Sequence, residues 1–411
     1  MGKKTVALLG ALDTKGPEYG FLKQCIEDQG VNTLLVDVGV LGGPRVPPDV
    51  TRETVAGAAG ADVNALAAAK DRGAAVSAMS AGAAALLPRL YAEERFDGVI
   101  ALGGTGGTSV ACGAMRTLPL GVPKVMVSTA AGTDVSGYVG TRDIVMIPSI
   151  VDVAGVNSIS RGVFARAAGA ICGMVNARVP AGEDKPLVAA TMFGNTTPCV
   201  TRAREILEEA GYEVLVFHCT GTGGRTMEDL VDEGLIAGVL DITTTEWADE
   251  LVGGVFSAGP GRLEAAGRRG VPAIVTPGCL DMVNFNAPDT VPSEFAGRTF
   301  YQHNPNVTLM RTNEAECRRL GEIVAGKLNR YTAPVTVLIP RKGVSMIDLE
   351  GQPFHLPEAN EALFGSLEAG LRSDIPVVEM DCDINDEAFA TRCAGEFLEH
   401  MARVAPAPVH A

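Results

Sequence analysis

Basic residues are scarce in this 411-residue chain, where 34 Lys and Arg stand against 49 Asp and Glu for a formal charge of -15. Nucleic acids are bound mainly through clustered Lys and Arg, so this balance argues against a nucleic-acid partner. No Cys-x-x-Cys pair occurs. The nine cysteines are scattered and sit mostly in apolar runs, as Cys172 and Cys219 do, which suits buried reduced thiols in a cytosolic protein and leaves no legible zinc site. No apolar run reaches the length of a membrane span: the alanine-rich segment from Ala74 to Leu87 is broken by small polar residues and closed by Pro88. The N-terminal MGKKTVALLG enters a strand directly and lacks the apolar core of a signal peptide. These absences point to a soluble, cytoplasmic protein with no membrane partner. Two nucleotide signatures are missing as well. Ser109 and Thr226 stand where the third glycine of Gly-x-Gly-x-x-Gly would fall, and no Gly-x-x-x-x-Gly-Lys-Ser/Thr occurs, so there is neither a standard dinucleotide fingerprint nor a P-loop.

What is present is a pair of strand-like runs that end in glycine-rich loops, VIALGGTGGTSVACGAMR at 99–116 and VLVFHCTGTGGRTMEDLV at 214–231. Glycine at a strand end removes Cβ, turns backbone N–H groups outward and leaves the next helix N-terminus free to attract an anion. One such loop is equally well explained as a tight turn. Two in comparable places favour a ligand that carries phosphate. Lys15, in the loop Gly10–Gly16, can supply a cation from a neighbouring strand end.

Short aliphatic runs near 5–9, 32–37, 98–102, 124–128 and 143–147, then near 187–191, 213–217, 237–241, 272–276, 335–339 and 376–380, alternate with helical patterns, with Pro17 in the first turn of the first helix. Their continuous apolar character predicts strands buried on both faces, hence two Rossmann-like α/β domains, 1–180 and 187–411, each a mostly parallel sheet flanked by helices. The segment from Pro277 to Asn306 has turn chemistry and little periodicity, and reads as a long functional loop.

Ligands of open parallel sheets lie beyond the carboxyl ends of the strands. In the first domain those ends carry Asp13, Thr14 and Lys15, then Asp37, then Gly103, Gly104, Thr105, Gly106, Gly107 and Thr108, then Ser128, Thr129 and Asp134. Together they predict a nucleotide pocket in which Asp37 accepts ribose hydroxyls and Asp134 approaches magnesium. Each residue also has a plainer role: Asp13 as a helix cap, Asp37 as the start of a turn, Lys15 as a solvated cation. In the second domain His218, Glu246, His303 and Arg311 offer acid-base chemistry and anion binding, while Gly221, Gly223, Gly224, Asp281 and Asn284 are candidate substrate contacts. Glu246 can instead close a capping box with Thr243, as Glu316 can with Asn313. His355, His400 and His410 lie off this pattern.

The combination of DTKG at 13–16, GGTGGT at 103–108, LPLGVPKVMVST at 118–129, DVAGVN at 152–157, FGNTTP at 193–198, FHCTGTGGRTMEDL at 217–230, DITTTE at 241–246, LDMVNF at 280–285, HNP at 303–305 and LMRT at 309–312 resembles the Tm-one-like ATP-binding domain family. This uncharacterised bacterial family also forms the N-terminal half of a plant tobamovirus-resistance protein. The resemblance implies two Rossmann-like subdomains, ATP with magnesium on the first, and a homodimer; in the plant relative this region binds a viral replication protein and blocks it. Gly132-Thr133 departs from the Ser-Gly of the family pattern. Three functions follow as expectations. The first is an ATP-dependent enzyme acting on a small organic acid or phosphorylated metabolite between the domains. The second is a nucleotide-sensing interaction protein without turnover, and the third, weakened by the missing fingerprint, is a nicotinamide dehydrogenase.

Overall fold

The computed structural model describes residues 2–180, 182 and 185–404, and the chain divides into two units, Met1–Ala181 and Gly182–Ala411. His410 lies outside the described residues. In the first unit the elements run β1 (Thr5–Gly10), α1 (Leu12–Glu27), β2 (Asn32–Asp37), α2 (Arg52–Ala58), α3 (Val63–Ala69), α4 (Arg72–Ala92), β3 (Gly98–Gly103), α5 (Thr105–Met115), β4 (Lys124–Ser128), α6 (Ser136–Val139), β5 (Ile144–Pro148) and α7 (Ser158–Asn176). The five strands pair in parallel in the order β2-β1-β3-β4-β5. Successive side chains of a strand point to opposite faces, and the two cores follow that alternation. Ala7, Leu9, Val99, Ala101 and Met126 pack under α4 and α5, whereas Val6, Leu8, Ile100, Leu102, Val125 and Val127 pack under α1 and α7.

The second unit runs β6 (Leu187–Met192), α8 (Thr197–Glu209), β7 (Glu213–His218), α9 (Thr222–Asp232), β8 (Gly238–Thr243), α10 (Glu246–Val252), α11 (Ala265–Arg269), β9 (Ala273–Gly278), β10 (Met282–Phe285), β11 (Phe300–Asn304), β12 (Val307–Arg311), α12 (Glu314–Leu328), β13 (Val335–Pro340), α13 (Pro357–Gly370), β14 (Val377–Met380) and α14 (Glu387–Arg403). Six of these strands form a parallel sheet in the order β14-β13-β9-β8-β6-β7, again between two apolar layers. The molecule is therefore two α/β units, each a parallel sheet flanked by helices.

Three local expectations need correction. The 277–306 segment is not a loop: it contributes β10 and β11, which pair with β12 in a three-stranded antiparallel sheet, β10-β12-β11. Its strands are short, and Gln302/Asn304 carry a register irregularity, so period-two alternation is weak in the sequence. Pro88 does not close the alanine-rich helix, because α4 continues to Ala92. Finally, α4 is long and apolar enough, by length and composition, to cross a membrane, and among the described residues it is the one such helix. It packs on α2 and α5 within the first unit, and a Cβ at Gly82 would lie 2.0 Å from the Val55 carbonyl oxygen. All nine cysteines are free.

Candidate functional site

In the first unit the chain leaves β1 for α1 on one face of the sheet and leaves β3 for α5 on the other, so the two connections diverge between neighbouring strands. Such a switch point opens a crevice at the strand ends. A cavity of about 690 Å³ lies there, walled by Gly10–Lys15 without Leu12, by Val38–Leu41, by Lys70–Arg72 and by Leu102–Gly107. Leu66, Val76, Met79 and Val110 make part of it apolar.

The polar side of the cavity is the head of α5. Gly104 caps the helix in an extended conformation, so Thr105, Gly106 and Gly107 occupy the first turn, where N–H groups have no intrahelical acceptor and the helix dipole is positive. Arg72 opens α4 across from them: a Cβ at Gly106 would lie 3.5 Å from the Arg72 guanidinium. Lys70 sits beside it in the left-handed region, with φ 52°, ending α3. Among the described residues neither Lys70 nor Arg72 forms an ion pair. Sequence reasoning passed over both, although a Lys-Asp-Arg triplet in an alanine-rich stretch was a legible signal.

Asp13 and Asp37 shape this cavity from behind. Asp13 Oδ2 accepts N–H bonds from Leu41 at 2.8 Å and Gly42 at 3.2 Å, pinning the loop that forms one wall. Gly39 is required there, since a Cβ on it would lie 2.6 Å from the Asp13 carboxyl carbon. Asp37 is wholly buried, and its Oδ1 accepts from Leu12 N at 3.0 Å and Gly39 N at 2.8 Å. Burial raises its pKa above the ordinary carboxylate value. Asp37 is thus a latch beneath the cavity, not a ribose acceptor within it. Thr14 lies exposed on the rim, and Lys15 donates to the Val153 carbonyl, which holds its chain across the mouth.

The remaining candidates of the first unit separate cleanly. Thr108 and Ser128 are fully buried with their hydroxyls 2.6 Å apart, and Ser128 Oγ also accepts from Ala130 N at 2.9 Å. They tie the glycine turn to β4 from below and do not face the cavity. Thr129 does, and its hydroxyl oxygen would lie 3.7 Å from a Cβ on Gly104. Asp134 is exposed and outside the cavity wall; its Oδ1 accepts from Ser136 N at 2.9 Å, and that bond holds its pKa below the ordinary value. Asp134 thus holds the turn that precedes α6 and does not line the cavity.

The second unit has the equivalent switch point between β6 and β8, and there it is filled. Arg262, from the segment between α10 and α11, is buried with both terminal nitrogens 2.6 Å from the Asp241 carboxylate and Nε 2.8 Å from Glu246 Oε2. Glu228 lies 3.4 Å from the same guanidinium, and burial raises its pKa. Glu246 Oε1 in turn accepts N–H bonds from Gly221 at 2.8 Å and Gly224 at 3.1 Å. A Cβ on Gly224 would lie 1.9 Å from Glu246 Oε2. The second glycine-rich loop is therefore an anion-binding turn whose anion is the protein's own carboxylate, and the N–H groups of Gly221 and Gly224 are taken up by Glu246; Gly223 lies between them and does not bond that carboxylate.

The other candidates of this unit do not meet Glu246. Arg311 is buried in a separate network, donating to Phe354 O at 2.7 Å, Asn360 Oδ1 at 2.7 Å and Asp348 Oδ1 at 3.1 Å. Asp281 lies fully buried near it, bonded by Ser345 Oγ at 2.7 Å; burial, then the neighbouring Asp348 charge, pushes its pKa up to about 7. Asn284 is likewise buried and donates to Asp249 Oδ2 at 2.6 Å, where burial pushes the Asp249 carboxyl up to about 7. His218 is exposed at the end of edge strand β7, and His303 is exposed on edge strand β11. Two buried networks and two surface imidazoles do not form an acid-base site. The inserted antiparallel sheet is the physical reason, because it places Arg311 and Asp281 in a core of their own.

Comparison with known proteins matches residues 4–180 to the N-terminal domain and residues 185–401 to the C-terminal domain of an "Uncharacterised protein family (UPF0261)". A UPF0261 protein of Clostridium tetani is 50% identical over 400 residues, 97% of this chain and 99% of that protein. The tomato (Solanum lycopersicum) ToMV resistance protein Tm-1(GCR237) is 43% identical over 336 residues, which cover 80% of this chain and 45% of that protein. Among solved structures, a putative UDP-N-acetylglucosamine 2-epimerase from Listeria monocytogenes overlaps 67% of this chain and 79% of its own at 12% identity with a TM-score of 0.25, too low to speak to chemistry.

Proposed function

The chain belongs to the uncharacterised protein family UPF0261, and we propose that its first unit binds ATP with magnesium in the β1/β3 cavity, working as a nucleotide-binding protein rather than through acid-base chemistry in the second unit. The observation that carries this reading is the unpaired Arg72 guanidinium standing over the free N–H groups of the α5 head, in a chain of net charge -15. Two such donors facing one cavity favour a phosphate group. The phosphates lie on Thr105, Gly106 and Gly107 N–H, flanked by Arg72 and Lys70, and the base lies against Leu66, Val76 and Met79. A volume of about 690 Å³ is in the range of small-molecule and cofactor pockets.

The absence of a joint acid-base site among His218, Glu246, His303 and Arg311 supports binding without turnover over the ATP-dependent enzyme. The homodimer implied by the family resemblance belongs to the same proposal, and exposed Val145 on edge strand β5 and Ile150 just after it support it. Calorimetric titration with ATP and magnesium tests the site. Arg72→Ala and Gly106→Val should each weaken binding by about tenfold or more, the loss expected for one charge-assisted contact, with unchanged circular dichroism. Wild-type affinity in both variants would exclude the cavity as the nucleotide site.

A further inference from the structure

Magnesium takes hard oxygen ligands and is commonly held by one or two carboxylates together with substrate phosphates. Among the described residues no group of three or more His, Cys, Asp or Glu side chains is arranged to hold a metal ion unaided. A metal at this site therefore has to share its ligands with the bound phosphates, and the protein's part reduces to whichever carboxylate at the cavity is free. Three carboxylates line it. Asp13 accepts from Leu41 and Gly42 N–H through Oδ2, and its Oδ1, though without a partner, is buried away from the open cavity; Asp71 accepts from Ala74 N at 3.0 Å as the cap of α4. The third is Asp152, whose carboxylate has no hydrogen bond or ion pair among the described residues.

Asp152 is also held in place. Its loop is tied at Ser149, whose N–H donates to Ser128 O at 3.0 Å and whose Oγ donates to Val151 O at 2.7 Å. Beyond it, Val153 O accepts from Lys15, and Gly155 N donates to Glu18 Oε1 at 2.5 Å. Between these ties Ile150 is kept at φ 66°, a conformation β-branched residues avoid unless their surroundings impose it. Asp152 and Thr129 are the two residues shared by the nucleotide cavity and an adjoining depression formed by Ser128–Thr129, Gly132 and Pro148–Asp152. A carboxylate and a hydroxyl, both hard oxygen donors, thus stand at the mouth next to the α5 head.

We infer that Asp152, assisted by the Thr129 hydroxyl, is the magnesium-facing carboxylate of this site and that Asp134 is not. The inference rests on the nucleotide reading above and names the residue through which the cation is felt. Opposite phosphate oxygens and without a cation, the Asp152 charge repels the ligand; with magnesium it joins the ligand to the protein. Asp152→Asn removes both effects and breaks no side-chain hydrogen bond or ion pair among the described residues.

Calorimetry with ATP, in magnesium and in EDTA, tests this on wild type, Asp152→Asn and Asp134→Asn. Wild type and Asp134→Asn should bind at least about tenfold more tightly with magnesium, one such step in affinity being the least a lost ligand removes. Asp152→Asn should bind equally in the two buffers, with an EDTA affinity no weaker than wild type. A full magnesium enhancement in Asp152→Asn overturns the assignment and leaves ATP binding intact, as does wild-type binding that ignores magnesium. Wild type that binds no ATP in either buffer defeats the nucleotide reading itself, and the role of Asp152 falls with it.

Discussion

Replacing Arg262 by Met separates a structural from a catalytic role for the Glu246 cluster. The guanidinium is buried against Asp241 and Glu246, with Glu228 at 3.4 Å, so the apolar chain fills the same space and leaves three carboxylates facing one another without a cation. Removing one partner of a buried ion pair costs about 3–5 kcal/mol. For a unit of this size each kcal/mol moves the midpoint by about 2–4 °C, so Arg262→Met should lower the melting of the second unit by roughly 6–20 °C. Trp247 is the chain's single tryptophan, lies buried on α10 beside Glu246, and reports this unit alone by fluorescence. The loss should also depend on pH. Burial already raises the Glu228 pKa and the Arg262 charge opposes that rise, so without the arginine its penalty is full at pH 8 and shrinks as it takes up a proton toward pH 5. A Trp247 transition within about 2 °C of wild type at pH 8 would refute the anchoring role. It would also return Glu246 to the list of residues available for chemistry.

Gly224→Ala should lower the same fluorescence transition although alanine favours helices, because its Cβ would lie 1.9 Å from Glu246 Oε2; an unchanged or raised midpoint would count against the tight seat of that carboxylate. Asp281, held at about 7 by burial and by Asp348, retains a proton in the folded state over a window where the unfolded carboxyl has lost it, so its contribution is fullest in acid and is lost as pH rises to about 7. Asp281→Asn should therefore narrow the difference in melting midpoint between pH 5 and pH 8, and an undiminished difference would refute that origin. Light scattering at micromolar concentration should give twice the chain mass, and a single-chain mass would remove the homodimer.

The two-unit α/β plan was legible in the sequence because a strand buried on both faces needs aliphatic residues at successive positions, and runs such as VIAL before Gly103 and LVAA at 187–190 leave no other use for them. The first glycine loop was legible for the same local reason: a helix head of bare backbone is written in consecutive residues. Short strands inserted between longer ones were not, since β10, β11 and β12 carry four or five residues each and a broken alternation. Nor could the sequence tell the two glycine loops apart. Both have the composition of an anion-binding turn, and only the packing of Arg262 and Glu246, 38 and 22 residues beyond Gly224, fills one of them from within. Charge state and exposure follow the same division. The sequence states that Asp13, Asp37, Asp134 and Asp152 are carboxylates near strand ends, but which of them is a latch, which holds a local turn and which is left without a bond at the cavity depends on backbone N–H groups brought to it by the fold. Hydrogen-bond partners are a property of three-dimensional neighbours, and that is why the tertiary structure alone decided which of these carboxylates are engaged.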